Sequence, residues 1–320
     1  MVEYLAARFT YLSADEWRER VENGRLTHNN HPCTTDTLVT QGDLVTYAIP
    51  DEDTPLPKLE YTVLYEDEWL LGINKPGSLL VHAKGRFVRE NLIYQLRTYH
   101  DPPMPDVNLI NRLDKETSGV ILLAKDKKTL REMSRRFATG AVTKTYLALV
   151  HGIPDPAADT IALPIGKVNA PGKGDHFGID EDGGKTAVTN YQTVETFTIH
   201  RKEREKKSVK SVKSVVSNEQ TNTFSLVQLT PKTGRTHQLR VHLAAIGHPI
   251  VADKRYGIDD EAVRTENGRL LLTRQALHCA ATQFQHPQTG SDCTITAPLP
   301  ADLQALLQYG QQRSRLFITS

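Results

Sequence analysis

The stretch from Asn108 to Lys125 places the tightest constraint on how this chain can fold. Leu109, Ile110 and Leu113 lead into a turn of small residues, Thr117-Ser118-Gly119, and an unbroken apolar run from Val120 to Leu123 follows. Such a pattern reads as strand, sharp turn and buried strand. Asp114 lies between Arg112 and the turn. A turn carried on rigid strands holds a side chain at the floor of a cleft with little freedom. The neighbouring positive charge of Arg112 favours the ionised carboxylate. Taken alone, the local pattern favours a plainer reading, an Arg–Asp pair that caps a turn, because structural ion pairs outnumber catalytic ones.

With 320 residues, 38% hydrophobic and 24% charged, the chain fits a globular protein of one large domain and one small one. No apolar run reaches the length that spans a bilayer. The start, Met1-Val-Glu-Tyr4, lacks the basic residues and apolar core of a signal peptide. Cys33, Cys279 and Cys293 form no CxxC pair, so neither a zinc site nor a disulfide framework is expected, and a reducing cytoplasm fits. The net charge of +1 neither demands nor excludes a nucleic-acid partner, because local clustering of basic residues decides that. Walker loops and dinucleotide fingerprints are absent from the sequence.

Residues 1–57 read as a small α+β module. Ser13-Ala-Asp-Glu16 is a capping box, with Leu12 and Trp17 placed as a hydrophobic staple. Trp17 and Val21 share a helix face, and Gly24 stops the helix. Leu26 and Asp43–Tyr47 look like short strands, with Gln41-Gly42-Asp43 as a turn. The order helix, Gly24-x-Leu26-x-x-Asn29, Gly42-Asp43-x-Val45 loosely resembles an S4-type RNA-binding domain. The same residues also suit a module that only packs on the rest. If the module binds RNA, Arg8, Arg18, Arg20 and Arg25 are its phosphate contacts. Asp51 to Pro57 is acidic and contains proline, so it reads as a linker.

The main domain, 58–320, begins with strands at Val63–Asp67 and Trp69–Lys75, closed by Pro76-Gly77. Asn91–Tyr99 reads as a helix with Leu92, Leu96 and Tyr99 on one face. Asp126–Ala138 is an amphipathic helix whose Leu130, Met133 and Phe137 turn inward. Thr143–Val150 alternates as a strand with Lys144, Tyr146, Ala148 and Val150 on one face. Residues 169–184 form a Gly/Asp-rich loop. His200–Asn222 is polar, basic and aperiodic, and reads as an insertion between strands. Thr236 is placed to cap a helix that carries Leu239, Leu243 and Ile246 and ends at Gly247, which puts Arg235 at a helix N-terminus suited to an anion. His237 and His242 fall five apart and so not on one face, and no acidic ligand is near, so no metal is expected. Ala301–Tyr309 is the last helix.

Arg112-Leu-Asp-Lys-Glu-Thr-Ser-Gly119 resembles the catalytic motif of the RluA-type pseudouridine synthases. Lys144-Thr-Tyr-Leu-Ala-Leu-Val-His-Gly152 and Thr233-Gly-Arg-Thr-His-Gln-Leu-Arg-Val-His-Leu243 resemble two further motifs of that family, in the family's order, and together the matches span most of residues 60–300. Asn74-Lys-Pro-Gly77, His248–Gly257 and Leu277–Ala280 fit other landmarks. One departure is Asn111, where the family usually has His. The resemblance implies an α+β fold with a mixed, largely antiparallel sheet and flanking helices. It implies an isomerase that turns uridine in transfer or ribosomal RNA into pseudouridine, acting as a monomer with no membrane and no cofactor. Asp114 would be the essential carboxylate, Tyr146 the active-site tyrosine, and Arg235 the arginine that holds Asp114. Arg112, Asn111, Thr117, Lys144, Thr236 and His237 would line the substrate. Two rival classes stand beside it. A non-catalytic RNA-binding protein would tolerate loss of Asp114, Tyr146 and Arg235, all of which are present. A carboxylate hydrolase would want a paired acid, for which Glu116 is the one near candidate.

Overall fold

The computed structural model describes residues 1–10, 12–48, 60–82, 89–168, 176–202, 219–258, 263–264 and 270–316. The expected linker at 51–57, residues 169–175 of the Gly/Asp-rich loop and residues 203–218 of the basic insertion lie outside them. The chain divides into two compact units, Met1–Leu59 with Leu80–Pro105, and Glu60–Leu79 with Asp106–Ser320.

The first unit is α+β. Its helix Ala14–Glu22 starts on the capping box, in which the Ser13 and Glu16 side chains each accept from the other residue's backbone N–H. Trp17 and Val21 point into a core with Leu5 and Leu26. The Trp17 ring meets Tyr47 edge-on at 5.5 Å. Gly24 takes the left-handed backbone, φ 65°, that ends the helix. Leu26–His28 then pairs with both His31–Pro32 and Val45–Tyr47. A helix at Val2–Arg8 precedes these elements and buries Val2 and Leu5. Arg20 donates to the Glu16 carbonyl and the Tyr47 hydroxyl, and Arg18 pairs with Asp15, while Arg8 and Arg25 are exposed. In the same unit, Leu92–Thr98 is a helix capped by the Asn91 side chain. Tyr99, expected on its buried face, falls past the helix end with φ −120° and is 49% exposed.

The second unit is built on a ten-stranded sheet. In chain order its strands are β1 (Thr62–Glu66), β2 (Leu70–Lys75), β3 (Asn108–Leu109), β4 (Ser118–Ala124), β5 (Thr143–His151), β6 (Ala158–Ile161), β7 (Thr189–Lys202), β8 (Glu219–Pro231), β9 (Leu277–Gln285) and β10 (Asp292–Thr296). The spatial order is β1-β2-β4-β9-β5-β8-β7-β6, with β3 on β4 and β10 on β9. β4 and β9 run parallel, and the other pairs of this sheet are antiparallel.

The central place of β4 explains its sequence. Every residue from Ser118 to Ala124 is buried, so the apolar run needs no alternation. The following helix, Lys127–Ala138, starts where Asp126 accepts from the backbone N–H groups of Lys128 and Thr129, and it buries Thr129 and Met133. β7 and β8 pair, with one bulge between Thr193 and Glu195, out to Lys202 and Glu219, further into the basic segment than its composition suggests. A separate hairpin, Ile165–Val168 with His176–Ile179, packs through Ile165, Phe177 and Ile179 on Ala187, Val241 and Tyr256. The last helix continues past Tyr309 to Leu316, with Leu303 and Leu306 buried. Among the described residues, no helix is long and apolar enough to cross a membrane.

Gly119 lets β4 enter the sheet. Its φ is +109°, and an added Cβ would stand 2.1 Å from the Cys279 carbonyl oxygen, a backbone atom that cannot step aside. Gly119→Ala is therefore expected to cost roughly 3 kcal/mol or more, from backbone strain and displacement of β9 together. The loss should show as a lower midpoint in urea unfolding.

Candidate active site

Asp114 sits on the irregular turn between β3 and β4, and the turn closes when the Thr117 N–H donates to the Asp114 carbonyl at 3.1 Å. Two further contacts hold its shape. The buried Asn111 side chain accepts from the Leu122 N–H at 2.8 Å. The buried Thr117 hydroxyl accepts from Gln275 at 2.6 Å. The carboxylate stays 33% exposed, so its floor is fixed while one side remains open.

The arginine on Asp114 is Arg240, not Arg235. Arg240 Nη1 donates to Asp114 Oδ2 at 2.9 Å. Arg235 is exposed and turns away, its Nε donating to the Thr186 carbonyl at 2.9 Å. The cause is local. His237 adopts a left-handed backbone, φ 56° and ψ 19°, so the helix begins at Gln238 rather than after Thr236. That start aims Arg240 inward, and Thr236 is left exposed without a capping role. A left-handed histidine costs on the order of 1 kcal/mol or more, a strain that a functional site often carries.

Asp253 fixes the direction of the guanidinium. Its two oxygens accept from Arg240 Nε at 2.6 Å and Nη2 at 2.8 Å, in the planar fork that arginine offers. The backbone N–H groups of Arg255 and Tyr256 also donate to Asp253. Burial pushes the Asp253 carboxyl up, but Arg240 and these amides outweigh it and hold the group below its ordinary value. Burial would likewise lower the Arg240 pKa, and the two carboxylates more than reverse it. The Tyr256 ring lies 5.0 Å under the guanidinium carbon. Asp253 is thus committed as an anion and cannot serve as a proton donor. Glu116 turns to Lys254 at 3.5 Å and to the Gln275 N–H. Neither carboxylate pairs with Asp114 as a hydrolase would need.

His237 Nε2 stands 3.9 Å from Asp114 Oδ2, while Nδ1 is 2.8 Å from the Tyr256 hydroxyl. The Phe177 ring meets the imidazole edge-on at 5.9 Å. Burial lowers the His237 pKa to about 4, with Arg240 and Arg255 pushing the same way against Asp114 and Asp253. On β5, Tyr146 is buried opposite Cys279 in the strand register. Burial, the neighbouring Cys279 thiol and the charge of Asp114 raise its pKa well above 10, so its hydroxyl keeps its proton. Lys144 lies on the same strand, its ammonium 5.8 Å over the Phe137 ring and its pKa lowered by burial.

Two residues outside the expected site set, Lys75 of the Asn74–Gly77 landmark and Arg274, support the turn from behind. Lys75, fully buried, donates from Nζ to the carbonyls of Pro76, Leu79 and Lys115 at 2.8, 3.2 and 2.9 Å. Burial and Arg274 lower its pKa to about 7 against the pull of Asp114. Three carbonyl acceptors are what an ammonium needs, so the geometry favours its charged form. Arg274 grips Asp302 at 2.7 and 2.9 Å and donates to the Glu116 carbonyl at 3.0 Å. Arg112 is exposed and forms no ion pair with Asp114 among the described residues. Among those residues, no cluster of three His, Cys, Asp or Glu side chains stands at metal-holding spacing.

The sequence over residues 70–245 matches the family model for RNA pseudouridylate synthases. An uncharacterized RNA pseudouridine synthase of Mycobacterium bovis is 30% identical over 316 residues, covering 94% of this chain and 91% of that protein. Ribosomal large subunit pseudouridine synthase C of Pasteurella multocida is 33% identical over 250 residues, 78% of this chain and 68% of that one. Among solved structures, human RNA pseudouridylate synthase domain containing 1 aligns with a TM-score of 0.55 and 26% identity, over 80% of this chain and 97% of that chain.

Asp253→Asn is expected to cost about 3 kcal/mol or more, because it strips a buried guanidinium of its bidentate partner. The lowered pKa fixes the pH dependence. The carboxylate's contribution is complete above its ordinary value of 3.8 and is lost as pH falls through the depressed folded value. Urea unfolding of the two proteins should differ most near neutrality and converge in strong acid.

Proposed function

This chain belongs to the RNA pseudouridylate synthase family and is an isomerase acting on RNA, and we propose that Asp114 is the carboxylate on which its reaction turns. The observation that carries this reading is the shared guanidinium. Arg240 gives two of its nitrogens to Asp253 and one N–H to Asp114, which leaves the rest of the Asp114 carboxylate open to a substrate. A buried arginine held by one carboxylate and aimed at a second, part-exposed one suits a carboxylate that must stay ionised and oriented.

The isomerisation needs three events. The N1–C1′ bond breaks and its electron pair leaves with the base. The base turns over. C5 then gives a pair to C1′ and releases its proton, while N1 takes one up. Nothing is oxidised and nothing is added, so the balance closes without a co-reactant. The uridine must leave its stack to be reached, at a cost of a few kcal/mol in structured RNA. Tyr146 offers a ring on which a flipped base stacks, and its hydroxyl is a candidate to help move the proton from C5. Arg112, exposed and next but one to Asp114, is suited to a phosphate beside the flipped nucleotide. The relatives named for the large ribosomal subunit favour ribosomal RNA over transfer RNA as substrate.

Asp114→Asn keeps the shape and removes the charge. Single-turnover product formation at saturating enzyme should then disappear while RNA binding stays within about threefold, because phosphate contacts lie elsewhere. A near-normal rate in that variant would end this reading. Pseudouridine maps of ribosomal and transfer RNA, with and without the gene, decide the substrate. Loss of sites from transfer RNA alone would reverse the ribosomal assignment.

A further inference from the structure

Two contacts of His237 bear on which of its nitrogens carries the proton, Nδ1 with the Tyr256 hydroxyl and Nε2 with Asp114. In the hairpin, Lys167 faces Phe177. Two residues earlier, Ile165 spends both its N–H and its carbonyl on Lys185, on the side away from Ile179. Antiparallel pairing alternates, so the Phe177 N–H also points away from its partner strand. It is directed at the Tyr256 hydroxyl and opposes the rise that burial gives that phenol. A hydroxyl that receives an N–H on its oxygen still has its own proton to give. The acceptor at hand is His237 Nδ1, at 2.8 Å. An Nδ1 that accepts carries no proton, so the proton of the imidazole sits on Nε2. That nitrogen stands 3.9 Å from Asp114 Oδ2, the oxygen that also accepts from Arg240.

We propose that His237 is a neutral hydrogen-bond donor, through Nε2, to a carbonyl oxygen of the uracil as it separates from the sugar. This rests on the reading of Asp114 as the catalytic carboxylate. When the N1–C1′ pair leaves with the base, negative charge spreads over N1, O2 and O4. A donor fixed in place before the charge develops stabilises the transition state more than the ground state. Neutrality matters as much as position. A charged imidazolium would close onto Asp114 and quench it, whereas a neutral ring leaves Asp114 to Arg240 and the sugar. The fixed parts are all present. The ring is wedged by Phe177, its Nδ1 is occupied by Tyr256, and its backbone is locked at the start of the helix.

The first test uses the wild-type protein. Nitrogen-15 NMR of histidine-labelled enzyme, with His237 assigned from the His237→Gln spectrum, should show an uncharged ring protonated on Nε2 at pH 7. Tyr256→Phe should yield a mixture of tautomers. A proton on Nδ1, or a charged ring, overturns the proposal. The second test is kinetic. His237→Ala should slow single-turnover formation by roughly 100-fold with RNA affinity nearly unchanged, and His237→Gln, which restores an N–H, should recover part of the loss. Direct contact is read from RNA with 2-thiouridine or 4-thiouridine at the target, since sulfur accepts hydrogen bonds weakly. One of the two should slow the wild-type enzyme clearly more than His237→Ala. Equal slowing by both analogues in the two enzymes would reduce His237 to a packing residue and overturn the proposal. Should His237→Ala fail to fold, the wild-type tautomer and the His237→Gln rate decide. Full activity in His237→Ala beside an inactive Asp114→Asn sinks this inference alone, and an active Asp114→Asn sinks the reading beneath it.

Discussion

One guanidinium organises the centre of this protein. Arg240 is nearly out of solvent, and a charge in that position is tolerated only with partners on every side. Asp253 supplies two hydrogen bonds and Asp114 the third contact. The geometry of the fork then decides the rest. Because Asp253 takes the Nε and Nη2 edge, only Nη1 is left to point at the β3–β4 turn. Asp114 is therefore held through a single oxygen, and its side chain stays 33% exposed. Asp253 is in turn pinned by backbone amides of Arg255 and Tyr256, so the orientation of Asp114 is inherited from a turn far along the chain.

Several strands of the sheet were legible from residues alone, β4 most clearly, and the reason is its burial. From Ser118 to Ala124 the strand is covered on both faces, so an unbroken apolar run could mark it. The Ser13 and Asp126 caps were visible too, since a cap is written within three residues of sequence. The longer-range parts of the site were not. Arg235 and Arg240 sit five positions apart in one motif, and which of them reaches Asp114 depends on the left-handed His237 between them. No local rule assigns that backbone to a histidine. Asp253 and Tyr256 lie in a turn without periodicity, and Lys75 ends a strand in which a lysine would ordinarily face water. Tertiary contacts alone give these residues their roles.

The support behind Asp114 has its own logic. Lys75 and Arg274 do not touch the carboxylate. They bind the carbonyls of Lys115 and Glu116, the two residues that follow it. A turn whose carbonyls are held from beneath by cations cannot invert its peptide planes, and the side chain it presents stays on one face. Gly77 allows this arrangement, since a Cβ there would stand 2.3 Å from the Arg274 side chain.

The order of strands also has a consequence for how the chain emerges during synthesis. β4 is complete by residue 124, with β2 on one edge and β3 on Leu123 and Ala124 of the other, yet the neighbour of Ser118 and Gly119 is β9, which begins at Leu277. Until then, the start of β4, which follows the Asp114 turn, keeps its second edge unpaired, and unpaired strand edges capture other chains. β5, β8 and β7 can form their own antiparallel ladder in the interval, but β5 too waits for β9. A ribosome that stalled between Ala124 and Leu277 would release a fragment carrying the motif and its carboxylate without β9. Such a fragment should depend on a chaperone to avoid aggregation. The late arrival of β9 thus makes completion of the sheet a checkpoint on the nascent enzyme.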